Sequence, residues 1–131
     1  PNFASRIKAK KPLHIYGTGN QTRTFCYITD AIVGFFLVIM NGVPGEAYNI
    51  GNPNPEISML DLVKRIKKVS NQDVKYNVVE YPDSYPADEP NRRAPDIRKA
   101  KLQLDFVPQV NLDEGLGRFI EWSNKFYIGE Q

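Results

Sequence analysis

Residues 16–31 read YGTGNQTRTFCYITDA, and whether Gly17-Thr18-Gly19 is a dinucleotide loop decides the fold. A dinucleotide fingerprint sets G-x-G-x-x-G between a strand and a helix, with an acidic residue about 20 positions further on. Here Thr22 stands where the third glycine belongs, and residues 22–28 alternate around Phe25 and Tyr27 as a short strand or extended segment would. No helix follows directly. The two glycines are therefore predicted to make a tight turn, or to let backbone approach a ligand closely. No Rossmann unit is predicted here.

Working outward, residues 13–16 (LHIY) form a short strand with Leu13 and Ile15 on one face and His14 on the other. Downstream, Thr29 or Asp30 is predicted to cap a helix through the apolar run AIVGFFLVIM (31–40), which Asn41-Gly42 ends. A membrane span needs about 20 such residues, so this run is expected to be a buried core helix. Ala47–Ile50 is a strand candidate and GNPNP (51–55) a loop. Ser58 and Asp61 have capping-box spacing ahead of a helix with Met59, Leu62, Val63 and Ile66 on one face. Val74–Val79 is a further strand.

The segment YPDSYPADEPNRRAPD (81–96) then carries four prolines in sixteen residues, which excludes regular structure through its middle. It ends in Arg92-Arg93, either a solvated pair or an anion clamp. Asp96 caps a short helix to about Leu104. Asn111 with Glu114 opens a last helix expected to bury Leu116, Phe119, Ile120 and Phe126. The fold class expected is α+β, a single domain over residues 1–131. Asn2, Phe3, Ile7 and the nearby lysines would continue a surface helix, so the chain is read as starting partway through something larger.

Composition narrows the chemistry. Net charge is +2 with basic residues spread along 131 positions. The densest run, Lys8, Lys10 and Lys11, lacks the interleaved aromatics that stack bases, so no nucleic-acid partner is expected. One cysteine excludes an internal disulfide framework and fits a reducing, cytoplasmic setting. Cys26, between Phe25 and Tyr27, reads as packing, because a nucleophilic thiol needs a base and a field that lowers its pKa. His14 is the single histidine, so no structural zinc site can be assembled. No tyrosine has a lysine four residues later, and Asp88-Glu89 has no partner that would define an acid/base pair. No catalytic residue is expected. A binding apparatus remains: Arg23 and Arg93 as planar donors for phosphate oxygens, Tyr16 as an aromatic face at a strand edge, and Gln21 as an amide beside the turn. These are the parts that a nucleotide diphosphate requires.

Together, PLHIYGTGNQTRTFCYITDA, GEAYNIGNPNPEISMLDLV and DEPNRRAPDIRKAKLQLDF resemble the C-terminal part of extended short-chain dehydrogenase/reductases acting on nucleotide sugars. UDP-glucuronate decarboxylases are the most similar subgroup, with dTDP-glucose 4,6-dehydratases and UDP-sugar 4-epimerases as neighbours. The resemblance covers nearly the whole chain. It implies a small substrate-binding lobe with helices and short strands, attached in the family to an NAD-binding Rossmann lobe whose motifs are not in this sequence. It also implies a UDP-sugar or dTDP-sugar ligand. Leu13, Ile15, Tyr16 and Gly17 match the segment that holds the uracil or thymine. Gln21 and Arg23 match the Q-x-R element whose arginine contacts the diphosphate. Met59 matches a position lining ribose and base. Arg93 matches the second nucleotide-binding arginine, with Arg92 able to substitute; Asn49 matches a structural position. In the intact family enzyme NAD oxidises the sugar at C4 before decarboxylation or dehydration, so the chain alone is expected to be inactive. A rival expectation is a non-catalytic interaction module that docks a protein, a second copy in a homodimer among the candidates, through apolar surface around residues 2–7 and the last helix.

Overall fold

The structure, a computed structural model, describes residues 2–84 and 89–126. Helix α1 (Asn2–Lys8) leads into strand β1 (Leu13–Tyr16). Strand β1 alternates as its sequence predicts: Leu13 and Ile15 are fully buried, while His14 and Tyr16 lie half-buried on the opposite face. It pairs in parallel with β4 (Tyr76–Val79), Leu13 opposite Tyr76 and Tyr16 opposite Val79. The Gly17 N–H donates to the Val79 carbonyl at 2.9 Å and carries the ladder one residue further. Gly17 and Gly19 then take φ of +64° and +73°, the left-handed region that L side chains resist. The segment is a turn, as expected.

Strand β2 is only Thr22–Arg23, the centre of a second small sheet. It pairs antiparallel with β3 (Ile57–Ser58) and parallel with β5 (Arg92–Arg93). The proline-rich segment thus ends in a strand, with the Thr22 N–H donating to the Asn91 carbonyl at 2.8 Å.

Helix α3 (Met59–Ser70) starts on the expected capping box. The Ser58 hydroxyl accepts the Asp61 N–H at 3.0 Å and donates to the Asp61 carboxylate at 2.8 Å. Asn71, left-handed at φ +51°, ends it. Leu62, Val63 and Ile66 turn inward with Leu13, Ile15, Ile57, Val74 and Leu112 to form the main core. Helix α5 (Leu112–Phe126) packs against α3, tied by an Arg65–Asp113 ion pair at 2.7 Å. Its first turn is capped by Asn111, whose side chain accepts the Glu114 N–H at 3.0 Å. A second cluster gathers Ala100, Leu104 and Phe106 from and after α4 (Arg98–Leu104), with Tyr48 and Ile50.

Several expectations fail on burial. Helix α2 (Ile28–Asn41) forms and stops where predicted, with the Gly42 N–H on the Val38 carbonyl at 2.9 Å. It is not a buried helix: Phe36, Met40 and Ile39 are 59%, 69% and 78% exposed. It meets the body along one line, at Gly34, where an added Cβ would lie 2.3 Å from Ile50 Cγ2. Neither Thr29 nor Asp30 caps it; Tyr27 holds the cap position. Asp30 lies buried inside the first turn and accepts the backbone N–H groups of Gln109 and Val110 at 3.1 and 2.9 Å. Ala47–Ile50 forms no strand, since no ladder partner reaches it among the described residues. In α5, Leu116 and Ile120 join the core, but Phe119, Trp122 and Phe126 fall on the adjoining arc and are exposed. Phe3 and Ile7, expected on an exposed surface, pack against the main core instead. No helix among the described residues is long and apolar enough to cross a membrane.

Candidate functional site

A cavity of about 540 Å³ opens between α1, the outer face of β1, β2 and the start of α3. Its size lies in the range of about 300–1,000 Å³ common for small-molecule sites. The alternation of β1 makes one wall: burying Leu13 and Ile15 turns His14 and Tyr16 toward this space. The glycine turn then brings Gln21 back beneath Tyr16, and Gln21 Nε2 donates to the Tyr16 carbonyl at 2.9 Å. Strand β2 supplies Arg23, and the first residue of α3 supplies Met59.

Of the residues expected to bind, Ile15, Tyr16, Gln21, Arg23 and Met59 therefore line one cavity. Leu13 does not, because its side chain is wholly buried in the core. Gly17 lies under the Tyr81 ring, so close that a Cβ would sit 2.6 Å from Tyr81 Cε2. Arg93 is not among the lining residues; it lies one strand over from Arg23, with which it is in register. Arg92 points elsewhere: its guanidinium grips Glu56 through contacts of 2.7, 3.0 and 3.1 Å. That bond, with a second from the Thr22 hydroxyl, holds the Glu56 carboxyl below its usual range. In a strand consecutive side chains leave on opposite faces, so Arg92 and Arg93 depart from opposite sides of β5.

Seven residues of the cavity wall were not singled out from the sequence as ligand-binding, and four of them, Arg6, His14, Tyr81 and Glu89, bring polar groups to it. Arg6 reaches in from α1, its Nη2 2.8 Å from His14 Nε2. Tyr81 stacks on Tyr16, ring centroids 5.8 Å apart and planes inclined by 26°, with its hydroxyl 3.4 Å from the Gln21 amide. Glu89 pairs with Arg23 Nη2 through one oxygen and lies 3.7 Å from Arg93 Nη2 through the other. His14 and Arg6 were legible only as members of their elements, and Glu89 lies 66 positions from Arg23, beyond any local pattern.

Cys26 lies half-buried between Phe25 and Tyr27. Burial, followed by the neighbouring Asp30 charge, pushes its thiol above the ordinary value. Among the described residues no cluster of histidine, cysteine and carboxylate could hold a metal. The Gly17–Gly19 turn runs into β2, so no helix N-terminus stands behind it to receive a pyrophosphate.

Comparison with known proteins fits this geometry. The family model described as GDP-mannose 4,6 dehydratase matches residues 1–119. The chain is 38% identical over 119 residues to UDP-glucuronic acid decarboxylase 1 of Arabidopsis thaliana, covering 91% of this chain and 26% of that protein. It is 38% identical over 127 residues to dTDP-D-glucose 4,6-dehydratase of Bos taurus, covering 93% and 35%. Among solved structures, UDP-glucuronic acid 4-epimerase from Bacillus cereus, in complex with UDP-glucuronic acid and NAD, superposes with a TM-score of 0.84 at 32% identity. That match covers 96% of this chain and 39% of the epimerase. The chain thus spans roughly a quarter to a third of the curated relatives it matches. On these matches the chain belongs to the GDP-mannose 4,6 dehydratase family, a group of NAD-dependent nucleotide-sugar epimerases and dehydratases.

Proposed function

We propose that this chain is the nucleotide-sugar recognition lobe of an NAD-dependent, UDP-glucuronate decarboxylase-like enzyme. The observation that carries the reading is the convergence of Tyr16, Gln21, Arg23 and Met59, from three separate elements, on one cavity. A nucleoside diphosphate has matching parts. Its base can lie along the exposed face of β1, its ribose against Met59, and its phosphates toward the guanidinium of Arg23, where charge-assisted bonds are strong. In the parent enzyme NAD would be carried by a separate cofactor lobe, and sugar oxidation at C4 would precede decarboxylation.

The exposed apolar face of α2 supports that division. A contiguous apolar surface on this scale calls for a covering partner, and the cofactor lobe is the occupant this reading assigns to it. The rival reading, a protein-interaction module, is favoured by the same face. A homodimer that forms through α2 and ignores nucleotide would count for the rival.

Titration of the chain with UDP and dTDP, followed by NMR, tests the proposal. UDP is expected to shift resonances of Tyr16, Gln21 and Arg23, and to bind more tightly than dTDP. Arg23→Ala is expected to weaken binding at least tenfold, about the value of one charge-assisted hydrogen bond. Arg92→Ala is expected to leave binding unchanged. Tighter binding of dTDP would shift the reading to a dTDP-glucose 4,6-dehydratase, and equal use of several UDP-sugars to a 4-epimerase. Millimolar UDP and dTDP without any shift would sink it.

A further inference from the structure

The parallel pairing of β2 with β5 sets Arg23 directly beside Arg93. Two guanidiniums in register on neighbouring strands repel each other; the Arg93 side chain is 64% exposed and solvated, whereas that of Arg23 is only 16% exposed and is screened less by water. Glu89 lies between them. One of its oxygens pairs with Arg23 Nη2 and the other lies 3.7 Å from Arg93 Nη2, and its side chain forms part of the cavity wall with only 19% exposed. Arg23 Nη1 is meanwhile committed to the Thr22 carbonyl at 2.7 Å. In this structure Arg23 Nη2 is thus spent on a carboxylate of the chain itself.

We infer that Glu89 is a built-in counter-anion of the arginine pair, which an incoming diphosphate must displace, and which thereby sets the charge a ligand needs to enter. This rests on the nucleotide reading above and adds a specificity-determining residue to it. A carboxylate brings one negative charge and two acceptor oxygens to two cations, leaving the trio at +1. A diphosphate brings more charge and more acceptors, so it can outcompete the glutamate. A monoanion cannot, because it offers the arginines nothing that Glu89 does not already supply. No covalent step is involved; one set of ion pairs replaces another.

The test compares the 131-residue chain with its Glu89→Gln and Glu89→Ala variants, using inorganic pyrophosphate, acetate and UDP as probes in calorimetric titration. Glu89→Gln keeps the shape and removes the charge. Both variants are expected to bind pyrophosphate and UDP about fivefold more tightly, the effect of deleting one competing ion pair. Both should also melt at a lower temperature without ligand and gain more on adding pyrophosphate. Acetate should bind the variants detectably and the parent chain not at all. Unchanged or weaker pyrophosphate binding in both variants overturns the inference, since it would make Glu89 a mere positioner of the arginines or irrelevant to them. If UDP binds all three proteins equally, the inference falls while the nucleotide reading stands. If the variants gain for pyrophosphate but UDP binds no better than pyrophosphate, the inference stands and the nucleotide reading falls. If no protein binds either probe, both fall.

Discussion

Asp30 occupies the first turn of α2, where its residue type predicts a cap, yet its carboxylate faces away from the helix end and holds the N–H groups of Gln109 and Val110. Those donors belong to the strap leading into α5, so one buried side chain joins two parts of the chain 79 and 80 positions apart. Asp30→Ala leaves two backbone donors without their acceptor and is expected to cost about 2–3 kcal/mol in chemical denaturation. Asp30→Asn, which keeps one acceptor oxygen, should recover part of that loss. Asp96 behaves differently, because it is exposed. The hydrogen bond from the Arg98 guanidinium, then the Arg98 N–H, hold its pKa at about 2 against an ordinary 3.8. A carboxyl depressed by folding stabilises the fold above the unfolded value and loses that contribution as pH falls through the folded one. Its share is therefore present above about pH 4 and gone by about pH 2. An NMR titration of the Asp96 carboxyl is expected to show this midpoint, and Arg98→Ala to return it toward 3.8. At this scale the sequence was legible wherever a side chain acts on its own neighbours, as Ser58 does on Asp61. It was silent on what Glu89 and Arg92 pair with, since those partners, Arg23 and Glu56, lie 66 and 36 positions away.

Among the elements, α2 and the second cluster behave as opposites. Helix α2 is apolar nearly all round, a pattern that usually marks a buried helix, but only Asp30 and Gly34 are buried. Ile39 at 78% exposure has little to lose in this chain, and Ile39→Lys is expected to change stability by no more than about 0.5 kcal/mol. Phe106 is 1% exposed, and Phe106→Ala is expected to cost about 3–5 kcal/mol through the cavity it leaves. Equilibrium denaturation of the two variants checks the contrast. Large destabilisation by Ile39→Lys would mean that α2 is covered in solution, and sedimentation velocity would then reveal by what. The helix itself was readable, because periodicity and the Asn41-Gly42 stop are local signals. Its exposure was not, because burial depends on what else is folded against it.

Across the molecule, the main core and the second cluster are distinct, and the site lies against the main core. Leu13, Ile15, Val63 and Ile66 anchor β1 and α3 in the main core, and these two elements carry Tyr16 and Met59 on to the cavity. The cavity wall should therefore be as stable as the fold. Amides of β1 and α3 are expected to exchange only on global unfolding, and those of α2, seated along a single line, to exchange sooner. Hydrogen exchange resolved by residue checks this order. If α2 proves equally protected, the chain is associating through it.

The amino-acid order alone determined the helices, the β1 alternation, the glycine turn and the absence of a dinucleotide loop. Each follows from interactions within a few residues, where backbone sterics, capping and periodicity dominate. Tertiary structure alone decided how the arginines are partnered, since the β2–β5 register places Arg93 beside Arg23 and Arg92 pairs with Glu56. It also decided that Glu89 meets both arginines of that pair and that the most apolar helix faces outward. All three are long-range facts, in which charge and apolar area find partners through space, and no local pattern encodes the distance.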